Sequence, residues 1–149
     1  MKERFHTFTV LITNIGRHIR KIKSEEMAEY NLKAPHVSCL YYLYKNGAIT
    51  ASELCEICEE DKGAVSRSLD YLEGAGYLAF RGEGRAKYKA PLQLTESGRK
   101  IGERVAEKID NVLDYVGKSL DEAEREQLYR SLEIICGDLE KITKKYEKD

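Results

Sequence analysis

Thr50-Ala51-Ser52-Glu53-Leu54-Cys55-Glu56-Ile57-Cys58-Glu59-Glu60-Asp61-Lys62-Gly63-Ala64-Val65-Ser66-Arg67 is the stretch on which the fold turns. It opens with Thr50-x-x-Glu53, a pattern in which the threonine hydroxyl accepts from the amide three residues on and the glutamate carboxylate returns to the threonine amide. A helix therefore starts at Ala51, with Leu54, Ile57 and Cys58 on its apolar face. Glu59 and Glu60 interrupt that face. Asp61 is a good N-cap for a second helix from Lys62 to about Glu73, whose buried side is Val65, Leu69 and Leu72. So short a turn forces the helices to cross, and the second then presents Lys62, Gly63, Ala64, Ser66, Arg67 and Ser68 near its outward N-terminal end. Small residues around one guanidinium suit a rod that enters a major groove.

Downstream, Gly74-Ala75-Gly76 ends this helix and Tyr77 to Arg81 begins a strand. Gly82-Glu83-Gly84-Arg85-Ala86 reads as a flexible, partly basic hairpin tip, with Tyr88, Ala90, Leu92 and Leu94 alternating on a returning strand. Pro91 marks that strand as an edge. Ala48-Ile49-Thr50 supplies a short third strand, and Thr95 caps a helix over Glu96 to Val116. The expected fold is mainly α with a small β-wing: a winged helix-turn-helix over residues 34–95, flanked by N- and C-terminal helices.

Those flanks carry their own pattern. Phe5, Phe8, Ile12, Ile15, Ile19 and Ile22 step by three and four residues, as do Leu128, Leu132, Ile135, Leu139, Ile142 and Tyr146. Asp121, followed by Glu122 and Glu124, places acids at the positive end of the last helix. The stripes hold more apolar edge than one wing unit covers, so residues 1–30 and 96–149 are expected to form a homodimer interface across a two-fold axis. An intramolecular bundle is the alternative.

At 149 residues and 42% hydrophobic, the chain is read as one domain, 1–149, with a real core. Its N-terminus alternates charged and apolar residues, so neither a signal peptide nor a membrane anchor is expected, and a cytoplasmic location follows. A net charge of −1 argues on its own against nucleic acid. Distribution argues the other way: Lys62, Arg67, Arg81, Arg85, Lys87 and Lys89 outnumber Asp70, Glu73 and Glu83, which concentrates positive charge around the proposed reading unit. Salt-sensitive binding to double-stranded DNA with few phosphate contacts per subunit is expected. Serine-hydrolase, phosphate-loop and zinc-protease motifs are missing from the sequence, so no enzyme activity is expected.

Ala51-Ser52-Glu53-Leu54 through Asp61-Lys62-Gly63-Ala64-Val65-Ser66-Arg67, then Leu72-Glu73-Gly74-Ala75-Gly76-Tyr77-Leu78, then Leu94-Thr95-Glu96-Ser97-Gly98, resemble the MarR/SlyA family of bacterial transcriptional regulators. The resemblance runs over nearly the whole chain and rests on the order of its motifs. It implies an obligate dimer on a pseudo-palindromic operator, released by small phenolic or other ligands, oxidants or metals. The family often has Asp-x-Arg shortly before its Leu-Thr pair; here Glu83-Gly84-Arg85 stands farther from Leu94-Thr95, and Lys87 can substitute for Arg85. The DNA-contacting set is then Ser52, Lys62, Gly63, Ala64, Ser66, Arg67, Arg85 and Lys87. Arg67 is assigned to a base edge, Ser52 to a phosphate, and Arg85 and Lys87 to the minor groove or backbone.

The effector cleft implied by the resemblance lies between dimer helices and wing unit, where His18, His36 and Tyr41 are candidates for holding a small aromatic acid. Ordinary packing is the alternative for each. Ala34 before Pro35 leaves that helix without a side-chain cap of its own, so its first amides need water, a carbonyl or an anion. The three histidines are too scattered for a metal set, and no cofactor is expected. Of four cysteines, Cys55 and Cys58 form a lone Cys-x-x-Cys inside a helix, and no second pair follows. Cys39 and Cys58 read as small buried hydrophobes, or else as parts of a redox- or metal-responsive regulator; Cys136 lies near the expected interface, where an intersubunit disulfide is conceivable. A winged-helix interaction module without DNA binding is a further alternative.

Overall fold

Local caps set the helix starts in the computed structural model, which describes residues 3–147. The helices are α1 (Leu11–Glu26), entered through a π-helical turn at His6–Val10, α2 (Ala34–Asn46), α3 (Ala51–Ile57), α4 (Lys62–Gly74), α5 (Ala86–Lys89), α6 (Glu96–Gly117) and α7 (Glu122–Thr143). At α3, the Glu53 amide donates to Thr50 Oγ1 at 3.2 Å and the Thr50 amide to Glu53 Oε2 at 2.7 Å. The Ala64 amide donates to Asp61 Oδ1 at 2.8 Å, the Gly98 amide to Thr95 Oγ1 at 3.0 Å and the Glu124 amide to Asp121 Oδ1 at 2.8 Å. These four starts are those read from the sequence.

Helix α2 solves its missing cap with a residue from another helix. The Ala34 amide donates to Ser24 Oγ of α1 at 3.1 Å, and the Lys33 amide donates to His36 Nδ1 at 3.1 Å. Neither a bound anion nor a carbonyl is needed for these two donors.

The chain divides into two compact units between Ile109 and Asp110. In the first, α2 lies against α4, α1 and α3. Its core joins Met27, Leu32, Val37, Cys39, Leu40, Leu43, Leu54, Cys58, Val65, Leu69, Leu72, Leu78, Leu92 and Val105. Burial at this scale is the main stabilising term, at roughly 25 cal/mol per Å² of apolar surface. In the second unit α7 has no buried residue, and Leu128, Leu132, Ile134, Leu139 and Ile142 are exposed. The stripe of the N-terminal flank is likewise open, with Phe5, Phe8, Ile12, Ile15, Ile19 and Ile22 all exposed. Among the described residues no helix is long and apolar enough to cross a membrane.

The wing departs locally from expectation. Its base pairs antiparallel only through isolated bridges, Leu78 with Leu94 and Ile49 with Leu92, so the expected strands, the short segment around Ile49 included, meet at single bridges and form no continuous strand among the described residues. The Ala79 amide donates to the Gln93 carbonyl at 2.8 Å and the Leu92 amide to that of Ile49 at 2.7 Å. The returning segment, however, pairs only after Pro91. Ala86-Lys87-Tyr88-Lys89 forms α5 in place of strand, because these residues are sound helix formers and the chain is forced extended only at Ala90, next to the proline ring. Gly82 and Gly84, at φ of 86° and 64°, turn the chain into α5.

Candidate nucleic-acid interface

The N-terminal ends of α3 and α4 open onto one cleft of about 690 Å³, whose lining includes Ser52, Lys62, Gly63, Ser66, Arg81 and Tyr88. Four residues assigned to DNA from sequence thus share one concavity. Arg67 is exposed one turn beyond Gly63, and its guanidinium folds back toward the helix start: Arg67 Nη1 lies 3.1 Å from where a Gly63 Cβ would stand. The absence of a side chain at Gly63 is what lets that cation lie along the helix beside Asp61. Ala64 and Ser68, expected on the outward side, are buried at 9% and 2% exposure. Their positions fall on the face that carries Val65, Leu69 and Leu72, so the outward surface of α4 is narrower than the sequence reading made it.

Positive charge is also distributed differently. Arg81 is buried at 7%; its Nη2 donates to Asp70 Oδ1 at 2.7 Å and its Nε to Glu73 Oε2 at 2.8 Å. It therefore ties the wing to α4 and is not part of a basic surface. Lys87 Nζ also reaches Asp70 Oδ1, at 3.2 Å. Burial pushes the Asp70 carboxyl up, but the hydrogen bonds and charges of Arg81 and Lys87 outweigh it and hold the group below the usual carboxylate range. The signal was in the sequence: Asp70 and Glu73 sit one helical turn apart, a fork aimed at one guanidinium. Arg85 remains exposed at the start of α5, and α5 packs beside α3.

A second ionic cluster fastens the turn between α3 and α4 to α1. Lys23 Nζ of α1 contacts Glu59 Oε1 and donates to Ser38 Oγ at 3.0 Å, while Arg20 Nη2 stands 3.3 Å from Glu60 Oε1. The Ser38 hydroxyl also bonds Glu59. Burial pushes Glu59 up, and the bonds from Lys23 and Ser38 more than reverse this. The sequence reading saw in Glu59 and Glu60 only an interruption of an apolar face; their partners lie in an earlier helix, beyond the reach of any local pattern.

The candidates for effector binding have separate neighbourhoods. His18 is exposed on α1. His36 serves the start of α2 and stacks on Tyr71 at 4.1 Å between ring centroids, and burial, then the nearby Lys33 charge, lowers its pKa. Tyr41 is half-buried, edge-on to Tyr42 at 5.4 Å.

A profile of the MarR family matches residues 30–87, which contain α2, α3, α4 and the turn into the wing. Over that segment, helix-turn-helix included, the chain is similar to the MarR family. Likeness of fold to solved structures runs over nearly the whole chain. A MarR family regulator from Neisseria meningitidis superposes with a TM-score of 0.79 at 20% identity, covering 96% of this chain and 98% of its own. MepR from S. aureus, solved as a DNA complex, gives 0.78 at 20% identity over 92% and 99%. BpsR from Bordetella bronchiseptica, whose DNA binding is regulated by 6-hydroxynicotinic acid, gives 0.73 at 18% identity over 91% and 97%. At these identities the likeness is one of fold. No curated protein matches the sequence.

Proposed function

We propose that this chain is a MarR-type transcriptional regulator that binds a pseudo-palindromic DNA operator as a homodimer, acts as a repressor, works in the cytoplasm and is released by a small aromatic acid. The observation that carries the reading is the cleft at the heads of α3 and α4, where Ser52, Lys62, Gly63 and Ser66 come together beside the outward Arg67. α4 enters the major groove, Arg67 reads a base edge, Lys62 and Ser66 contact bases or phosphates, and Ser52 steadies a phosphate. Arg85 reaches the neighbouring backbone or minor groove. Ala64 and Lys87 contribute less directly, since one is buried and the other is engaged by Asp70. The apolar stripes of the flanks are covered by a second copy, which sets two half-sites about one turn, roughly 34 to 36 Å, apart. A ligand held near His18, His36 and Tyr41 would act by favouring a dimer with the wrong spacing of recognition helices.

The test is recovery of genomic DNA fragments on the purified protein at low salt, followed by footprinting of the bound fragments. A protected site with two-fold symmetry, and affinity falling steeply with salt, supports the reading. Recovery of no fragment above background overturns it and leaves a winged-helix interaction module.

A further inference from the structure

Helix α1 packs against α2, yet two of its cations reach the turn between α3 and α4. Lys23 Nζ contacts Glu59 Oε1 and donates to Ser38 Oγ at 3.0 Å. The Ser38 hydroxyl belongs to α2, is 1% exposed, and lies 2.5 Å from the same Glu59 oxygen. Arg20 Nη2 stands 3.3 Å from each carboxylate oxygen of Glu60, whose side chain is only 6% exposed. The next residue is Asp61, which caps α4 through the Ala64 amide. The head of α4 thus follows directly on two carboxylates that α1 holds.

We propose that Arg20 and Lys23 are positioning residues: through Glu60 and Glu59 they lock the head of α4 at one angle to α1, and so set the half-site spacing that the dimer accepts. This rests on the DNA-binding and dimer reading above, and gives its spacing specificity a source. Neither cation touches DNA in this scheme. Stability is a weak reason for the contacts, because Glu60 leaves water for a guanidinium that stays largely in it, and desolvation cancels most of the attraction. A partly exposed pair such as Lys23 and Glu59 is likewise worth little. What the cluster fixes is a position.

The same stretch of α1 carries the stripe that a second copy would cover. Ile19 and Ile22 are exposed and are the chain neighbours of Arg20 and Lys23, so one short piece of helix both faces the proposed partner and grips the base of α4. Two copies of α4 engage a duplex together only when they stand at the spacing of its successive turns. A base that wanders among several angles spends only part of its time in the productive one. Apparent affinity falls by that fraction, which enters once for each copy. A loosened base also tolerates a wrong spacing better, since some of its other angles match it.

The experiment compares the parent chain with Lys23→Met/Glu59→Gln and with Arg20→Met/Glu60→Gln, each of which removes one cation and one anion and leaves net charge unchanged. In the first, Ser38 keeps the Ala34 carbonyl as an acceptor at 3.1 Å and Glu59 is partly exposed, so this variant decides should the second unfold. A recovered genomic fragment is remade with base pairs inserted or deleted between its footprinted half-sites, and affinities are read by fluorescence anisotropy across a range of salt. On the native spacing each variant should bind at least about fivefold more weakly, and it should lose less than the parent when the spacing changes. The salt slope should match the parent's, because no phosphate contact is lost, and the variants should stay dimeric with Tm within a few degrees. Lys23→Met or Glu59→Gln alone should weaken binding as much as the two together. A shallower salt slope shows the cations on phosphates and overturns the proposal, as do undiminished affinity, an unchanged spacing preference or single effects that add. Failure of the DNA-binding or dimer reading shows earlier, in a parent chain that recovers no fragment or sediments as a monomer.

Discussion

A Cβ at Gly98 would collide with the carbonyl oxygen of Tyr77 and come within 2.8 Å of its carbonyl carbon. The backbone of α6 therefore runs directly against the corner that leaves α4. That carbonyl also accepts from the Thr95 amide at 3.1 Å, and Thr95 Oγ1 donates to the Gly76 carbonyl at 2.6 Å. The obstacle is main chain and cannot rotate aside. Gly98→Ala should cost about 1 to 3 kcal/mol, the range for overpacking, and lower Tm by several degrees. Thermal melts followed by far-ultraviolet circular dichroism check this; an unchanged Tm would show that the corner yields.

Gly63 and Arg67 allow stability and recognition to be separated. Arg67→Ala removes an exposed side chain, so Tm should hold, while operator affinity falls by about 1 to 3 kcal/mol and specificity relaxes at one position per half-site. Gly63→Ala places a methyl 3.1 Å from Arg67 Nη1 and 3.2 Å from Asp61 Oδ1. The guanidinium swings away, and the gain in helix propensity, about 0.5 to 1 kcal/mol, offsets the crowded cap. Affinity should drop with Tm nearly constant. Fluorescence anisotropy with a labelled operator, beside a thermal melt, reads both quantities.

The helix starts were legible because each is a local device: Thr50 with Glu53, Asp61, Thr95 and Asp121 need only neighbours within one turn. The apolar periodicity of α4 likewise fixed Val65, Leu69 and Leu72 as core. What escaped depends on contacts distant in sequence. Ser24 capping α2 and Lys23 holding Glu59 join separate elements, and no spacing rule reports them. The wing shows a conflict of local signals: alternation at Tyr88, Ala90 and Leu92 suggested strand, whereas helix propensity over 86–89 prevailed because the hairpin tip offers no partner strand there.

Acid should loosen both ionic tethers. Glu59 and Asp70 have folded pKa values held below their ordinary ones, so their contribution is fully present above the unfolded carboxyl pKa, near 4, and is lost as pH falls through the folded values. The urea midpoint should decline from about pH 4 downward, and a Glu59→Gln/Asp70→Asn variant should show a shallower decline over the same window. Both carboxylates are partly exposed, so solvent screening keeps the effect modest. Parallel pH profiles for the two proteins would refute this assignment.

The exposed stripe of the N-terminal flank makes the most direct claim about assembly. Ile15 and Ile19 are 59% and 49% exposed, in line with Phe8, Ile12 and Ile22, and an apolar run of this length is seldom left open to water on a soluble monomer. Ile19→Glu introduces a charge that must be desolvated if the stripe is buried against a second copy, and does little to a helix face already in water. Sedimentation equilibrium should therefore give a dimer for the parent chain and a monomer for Ile19→Glu. Operator affinity should fall with it, since one α4 alone cannot span two half-sites. A variant that remains dimeric would remove this stripe from the interface.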